Sequence, residues 1–476
     1  MVGAFKSTKI PRLRCGGEDV DRLSNLPEPI IHHIFSFLGT IDVVRASAVS
    51  RKWRCFWLSI PYLNFNIHNI WSNPQEKWSL EKINEKFKDF VNWVLLSQNG
   101  SINIQRFLLS CFNCVDDYTL YRWLSAVAQR NVQVLDLDII SEEPIKLPLC
   151  LVTCESLVSL KLDFGKKVYH QGVLELPTCA GFTRLKSLDL QKVELLDSNL
   201  FRKFISSCPL LENLNMAACF FRDFKILDIS TTSLKHLTID DVGFCEPKGL
   251  ANCEVKLACP NLLSLKFSGS AELEFSFEGL KSLKKAYIYL DIDGDDDVCY
   301  GVSKIFNGVR NAEVLKLNMV VSWLLNVVFA KPDCFFSPLY NLKSLKLIVG
   351  PFDQTIQSTI NLLNCSPNLE ALAIYFDWFK DGDLWKIPDK GIPCLTHHLK
   401  TVEILEFYGN ENQLELVRFI LKCGQVLQKM SITWGYSGVK YPIKISRQVK
   451  EFPRLSPTAA LEFLEPFYEW FDHFGL

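Results

Sequence analysis

The sequence predicts an α/β chain in which a small helical module precedes a long solenoid of strand–helix units. Two observations predict it. An apolar-x-x-apolar-x-apolar pattern recurs with first positions Val132, Leu157, Leu185, Leu211, Leu234, Leu262, Leu283, Ala312, Leu342, Leu369, Leu399 and Leu427. Ahead of it, residues 21–57 hold three short helical patterns with more apolar side chains than so small a unit hides within itself.

The helical module comes first. Pro27 suits a first helical turn, where its missing N–H costs nothing, and Glu28 follows at the positive end of the dipole. Ile30, Ile31, Ile34, Phe35, Phe37 and Leu38 then cover well over half the circumference of a helix of about eleven residues. Gly39 reads as its stop, Thr40 as the cap of a second helix, and Ser50 as the cap of a third that carries Trp53 and Trp57 one turn apart. Helices this short bury little on their own, so two apolar faces call for another surface.

The repeats follow at intervals of 21 to 30 residues, averaging about 27, the signature of leucine-rich repeats. Within each unit the last two apolar positions, such as Leu188 and Leu190, alternate with outward residues, which specifies a short strand. Helical stretches lie between strands at residues 198–206, 357–363 and 414–422. Parallel stacking of such units gives a horseshoe, with strands on the concave face and helices on the convex face. An ordinary doubly wound sheet would not keep so narrow a period. Residues 79–130 read as a helical cap region, with Phe87, Phe90, Val91, Val94 and Leu95 on one helical face and a second helix from about Asp117. This region is joined to a degenerate first repeat.

The joint pattern of residues 21–57 resembles an F-box, the module that plugs a substrate-recognition protein into a Skp–cullin ubiquitin ligase. The resemblance rests on Leu26-Pro27 with paired aliphatics, the Phe37-Leu38-Gly39 end, the Val-rich second helix and Ser50-Arg51-Lys52-Trp53-Arg54. It implies adaptor-facing roles for Leu26, Pro27, Ile30, Ile34, Leu38, Val44, Val49 and Trp53. Pro29 departs from the family pattern, but within the first turn it leaves the helix intact. The stretch from Ile392 to Met430 resembles the FBD domain of plant F-box proteins. The expected organisation is a disordered basic arm at 1–18, the F-box at 19–62, the cap region at 79–130, leucine-rich repeats at 131–390 and the FBD-like part at 391–470.

Composition narrows the function classes. Lys and Arg total 52 against 53 Asp and Glu, a formal charge of −1, so no global bias favours nucleic acid or membrane. The apolar run 317–330 is too short for a membrane span, which needs about 20 residues. The N-terminal arm is basic without an apolar segment, unlike a secretory signal. Seventeen cysteines then point to free thiols in a reducing compartment, nucleus and/or cytoplasm. Cys208 and Cys259 beside prolines suit buried corners.

No motif for nucleotide, dinucleotide or catalytic zinc occurs. The lone Cys111-x-x-Cys114 has no second pair, and His32-His33 and His397-His398 have no ligands at metal spacing. The acidic run 291–297 fails the calcium-loop rule, because Gly294 stands fourth rather than sixth and Val302 takes the place of the chelating acid. No cofactor and no catalysis are expected.

Function is therefore expected on the outward side of the strands. Asp136, Asp138, Asp163, Asp189 and Asp240 face it in the early repeats, with Lys161 the only base. Lys266, Lys316 and Lys346 face it later, with Tyr287, Tyr289, Tyr375 and Glu403. Such a groove, acidic early and basic later, would take a protein segment of complementary polarity. The resemblance implies a substrate receptor docked on a Skp-type adaptor and, through it, a cullin. Two alternatives stay open: a hormone co-receptor whose groove a small molecule completes, and an interaction protein outside any ligase. The lysines stand too scattered along the sequence to count as one basic floor.

Overall fold

The backbone runs as a single open solenoid. The computed structural model describes residues 26–48, 53, 57–71, 79–98, 100–112, 115–141, 143–165, 172–178, 181–240, 253–271, 273–291, 299–330, 337–350, 355–377 and 391–466. The basic arm, Val49, Cys114 and the acidic run beyond Asp291 lie outside them.

The N-terminal module begins with α1 (Glu28–Phe35) and α2 (Thr40–Ser47). Helix α1 is shorter than the apolar pattern suggests. Its last turn tightens, with Phe37 N–H donating to Ile34 O and Leu38 N–H to Phe35 O, so residues 36–38 form a turn. Gly39 is the N-cap of α2 in extended conformation rather than a left-handed stop. Space, not φ, explains this glycine, since an added Cβ would meet the Asn69 side chain at 2.7 Å. Thr40 does not cap α2 either. It is buried, and its hydroxyl accepts the Asn64 N–H at 2.7 Å, tying the module to the first strand.

One parallel sheet of fifteen strands carries the rest, in chain order from end to end and not closed. Its first strands are β1 (Tyr62–Asn66) and β2 (Arg106–Phe112), followed by β3 (Val134–Ile140), β4 (Ser159–Asp163) and β5 (Ser187–Gln191). Next come β6 (Asn213–Ala217), β7 (His236–Asp240), β8 (Ser264–Ser270), β9 (Lys285–Asp291) and β10 (Val314–Leu317). The last are β11 (Ser344–Val349), β12 (Ala371–Phe376), β13 (Thr401–Phe407), β14 (Lys429–Trp434) and β15 (Ala460–Leu464). Every one of the twelve motifs lands in a strand, β3 to β14. Strands β1, β2 and β15 extend the array beyond them, so the cap region is a repeat with its own strand rather than purely helical.

Register explains the period. Leu135, Leu160, Leu188, Leu214, Leu237, Leu265, Ala286, Leu315, Leu345 and Leu372 face one another from strand to strand. These side chains form one buried row, and burial of each leucine contributes about 1.5–3 kcal/mol. Asparagines just ahead of the motif tie successive units: Asn261 donates to Thr232 O and Asn368 to Tyr340 O, both at 2.8 Å.

The opposite side of the core is only partly helical. Before β3 lie α3 (Leu80–Ser97) and α4 (Asp117–Gln129), the latter capped by Asp116, which accepts the Thr119 N–H at 2.9 Å. Then comes α5 (Ser198–Ser206), and in the later repeats α6 (Cys299–Val309), α7 (Met319–Ala330), α8 (Thr355–Asn364), α9 (Glu411–Cys423) and α10 (Pro442–Lys450). Between about residues 145 and 278, short flanking strands form sheets of four and three strands instead. Apart from α5, the expectation of helices along the convex side is corrected there. The two shortest repeat intervals, 23 and 21 residues after Leu211 and Leu262, leave too little chain for a strand and a helix of several turns, so the return path is extended.

Candidate docking and recognition surfaces

Helix α1 divides its apolar residues between two faces. Ile31 and Phe35 point inward and are buried. Ile30 and Ile34 remain 46% and 37% exposed, and Phe37 and Leu38 in the following turn 75% and 36%. Pro27 is exposed at the N-cap, and Pro29 sits within the first turn without breaking the helix. Leu26 and Val44 are half-buried. Trp53 differs from the rest of the expected docking set. It is 7% exposed, edge-on to Phe35 at 5.4 Å, so its ring belongs to the module's own packing. Phe37, the most exposed of these side chains, was not in that set.

The module is clasped to the solenoid. The buried Gln98 amide donates to Trp57 O at 3.2 Å and Ile60 O at 3.3 Å, and its carbonyl accepts Arg130 Nη2 at 2.9 Å. Arg130 Nε also reaches Ile102 O at 3.1 Å, and burial lowers the affinity of its guanidinium for its proton. Trp57 stacks on Trp93 at 4.9 Å. Neither Gln98 nor Arg130 carries a sequence signal that separates it from a surface residue. The clasp appears only in three dimensions.

The outward side of the sheet carries two rows of side chains. Asp136, Lys161 and Asp189 stand on consecutive strands in the first row, and Asp138 and Asp163 in the second. These acids are engaged within the chain. Asp138 accepts from Ser110 Oγ at 2.8 Å, Asp163 from Lys192 Nζ at 3.3 Å and Asp189 from Asn215 Nδ2 at 2.7 Å. Asp136 is pushed above the ordinary carboxylate range by burial, against the pull of Lys161 and Arg106.

Further along, the fold brings together what the sequence scatters. Lys266, Tyr287, Lys316 and Lys346 stand opposite one another on four consecutive strands, β8 to β11. Lys316 Nζ lies 4.6 Å from the centre of the Tyr287 ring, and Lys266 pairs with Asp240 at 3.2 Å. Burial and then the neighbouring Lys346, Lys285 and Lys266 lower the Lys316 pKa. Three of these four positions in one row are thus lysines, with Tyr287 between Lys266 and Lys316. Tyr289 and Tyr375 share this side but are buried rather than presented. Burial pushes the Tyr289 phenol up to about 12. Tyr375 packs with Ile348 and Leu405 in a small apolar cluster, where burial raises its pKa well above the ordinary phenol value. Glu403 follows on β13, opposite Ala373.

Among the described residues no group of three or more His, Cys, Asp or Glu side chains could hold a metal, and no helix is long and apolar enough to cross a membrane. Cys208 and Cys259 occupy buried corners as expected, and burial pushes the Cys208 thiol up to about 11, which suppresses its thiolate.

Comparison with known proteins agrees with this architecture. Residues 95–449, more than half of the chain, match the family model described as "At1g61320/AtMIF1, LRR domain", and residues 23–64 match the F-box domain. The chain is 25% identical to the F-box/LRR-repeat protein 13 of Arabidopsis thaliana, over 93% of this chain and 96% of that protein. It is 26% identical to the F-box/FBD/LRR-repeat protein At1g78750 of the same plant, over 93% and 96% of the two chains. A putative F-box/LRR-repeat protein, At3g59230, is 27% identical over 93% of this chain and 94% of its own length.

Proposed function

We propose a function from the premise that the chain belongs to the family of plant F-box proteins with leucine-rich repeats: it is the substrate-recognition subunit of an SCF-type ubiquitin ligase. F-box domains generally bind a Skp-type adaptor and, through it, a cullin. The observation that carries the reading is the outward apolar face of α1, with Ile30, Ile34, Phe37 and Leu38 left in solvent beside a solenoid that buries the leucines of its repeat motif. A patch of this kind on a soluble domain marks a partner surface.

In this reading the chain performs no bond chemistry. It holds a target on the outward side of the sheet, close to a ubiquitin-charged enzyme, so that transfer becomes effectively intramolecular. The Gln98–Arg130 clasp supports a fixed relation between docking module and target. Work in the nucleus, the cytoplasm or both belongs to the same reading, because free thiols suit a reducing environment.

Co-expression of the full chain with a Skp-type adaptor and a cullin tests the reading. All three should elute together from size exclusion. A chain that elutes alone contradicts it.

A further inference from the structure

We propose that the Lys266–Tyr287–Lys316–Lys346 stretch is an anchor for a carboxylate-rich segment of the target polypeptide. The inference rests on the substrate-receptor reading and deepens it by naming the chemistry of the target. Its basis is geometry. The three lysines and the tyrosine occupy equivalent outward positions on four neighbouring strands, in register. Neighbouring strands lie about 4.8 Å apart, so Lys316 and Lys346 are one spacing from each other and Lys266 two spacings from Lys316. Like charges at directly facing strand positions are unfavourable, and the fold nonetheless sets Lys316 beside Lys346.

The neighbours sharpen the assignment. Tyr287 lies under the Lys316 ammonium, which fixes that amine over the sheet. The next position in the row is Ala373, a small side chain that leaves room above β12. Burial and then the neighbouring lysines loosen the Lys316 proton, and an anion laid across the row would relieve the second of these. The row holds lysines and no arginine. Phosphate recognition favours the bidentate guanidinium fork, whereas spaced point charges suit a run of carboxylates along an extended peptide.

The experiment uses the full-length chain and fluorescence anisotropy of fluorescein-labelled hexaglutamate. A phosphoserine peptide of equal length and hexalysine serve as the other probes. Hexaglutamate should bind, more weakly as salt rises, and hexalysine should not. Lys316→Gln with Lys346→Gln should lower the affinity by about tenfold or more. Lys316→Arg with Lys346→Arg should stay within about twofold, because the charge is kept. Lys343→Gln with Lys400→Gln should change nothing, since these lysines pair with Glu313 and Glu370 beside the strands. No binding of hexaglutamate, equal binding by the double glutamine variant, or binding of the phosphoserine peptide alone would each overturn the proposal. Adaptor co-purification from the same preparation separates the two readings: its loss overturns the ligase assignment, whereas lost peptide binding with the adaptor retained overturns the anchor.

Discussion

Helix α1 and the strands of the solenoid use the same aliphatic side chains in opposite ways. In the solenoid, Leu160, Leu188, Leu214 and their counterparts face their equivalents on both neighbouring strands and lose essentially all contact with water. In α1, every inward apolar residue is matched by an outward one, Ile31 by Ile30 and Phe35 by Ile34. A repeat array supplies its own partner surface at each step, so its apolar side chains serve stability. A short helix at the end of that array has no such repeated neighbour among the described residues. In the proposed reading its outward face serves association.

Substitutions at matched positions separate the two uses. Ile34→Asp should weaken adaptor binding by about 100-fold or more, a charge in an apolar contact, while leaving the thermal melt near wild type. A large fall in melting temperature would instead place Ile34 in the core. Leu188→Ala should do the reverse, costing about 2–5 kcal/mol in denaturant unfolding of the solenoid. Adaptor binding below the transition should be unchanged.

Smaller effects probe the junction between the two regions. Gln98→Ala removes the acceptor of Arg130 and the donor to two backbone carbonyls, with an expected loss of about 1–3 kcal/mol. Limited proteolysis near residues 57–60 should become faster. Unchanged cleavage and stability would show the clasp to be dispensable.

The smallest effect lies at Asp116. Its contacts with Thr119 and then Lys88 hold its pKa down to about 2 from 3.8. The sign follows from a depressed carboxylate: its contribution is complete above about pH 4 and is lost as pH falls toward 2. Because the side chain is half exposed, the contribution is a few tenths of a kcal/mol, about that of a surface pair. Melting curves of wild type should therefore fall slightly more steeply with acid than those of Asp116→Asn, which keeps the cap.

Much of this fold is legible in the sequence because each strand repeats a period of two inside a period near 27, two signals that reinforce each other. The same signal runs in weaker form through the degenerate first repeat. Ile104, Phe107 and Leu109 fit the pattern 28 residues before Val132, but the flanking helical periodicity of α3 and α4 masked it. Strand β15 gave less to read, since Leu461 and Phe463 are only half-buried at the end of the sheet. The flanking strands between residues 145 and 278 carry no longer period of their own. On the expected docking face, the family resemblance points to Ile30, Ile34 and Leu38, which the fold leaves exposed, but it cannot tell that Trp53 turns inward onto Phe35. On the sheet, positions outward of the core were readable one strand at a time. That Lys266, Lys316 and Lys346 form one row required the register between strands.

Hydrogen–deuterium exchange of the full chain, alone and saturated with a Skp-type adaptor, tests the division between association and stability most directly. The account predicts slowed exchange in α1 and the turn after it, around Ile30, Ile34, Phe37 and Leu38, with strands β3 to β14 unchanged. Protection on the sheet instead, or none in α1, would contradict it.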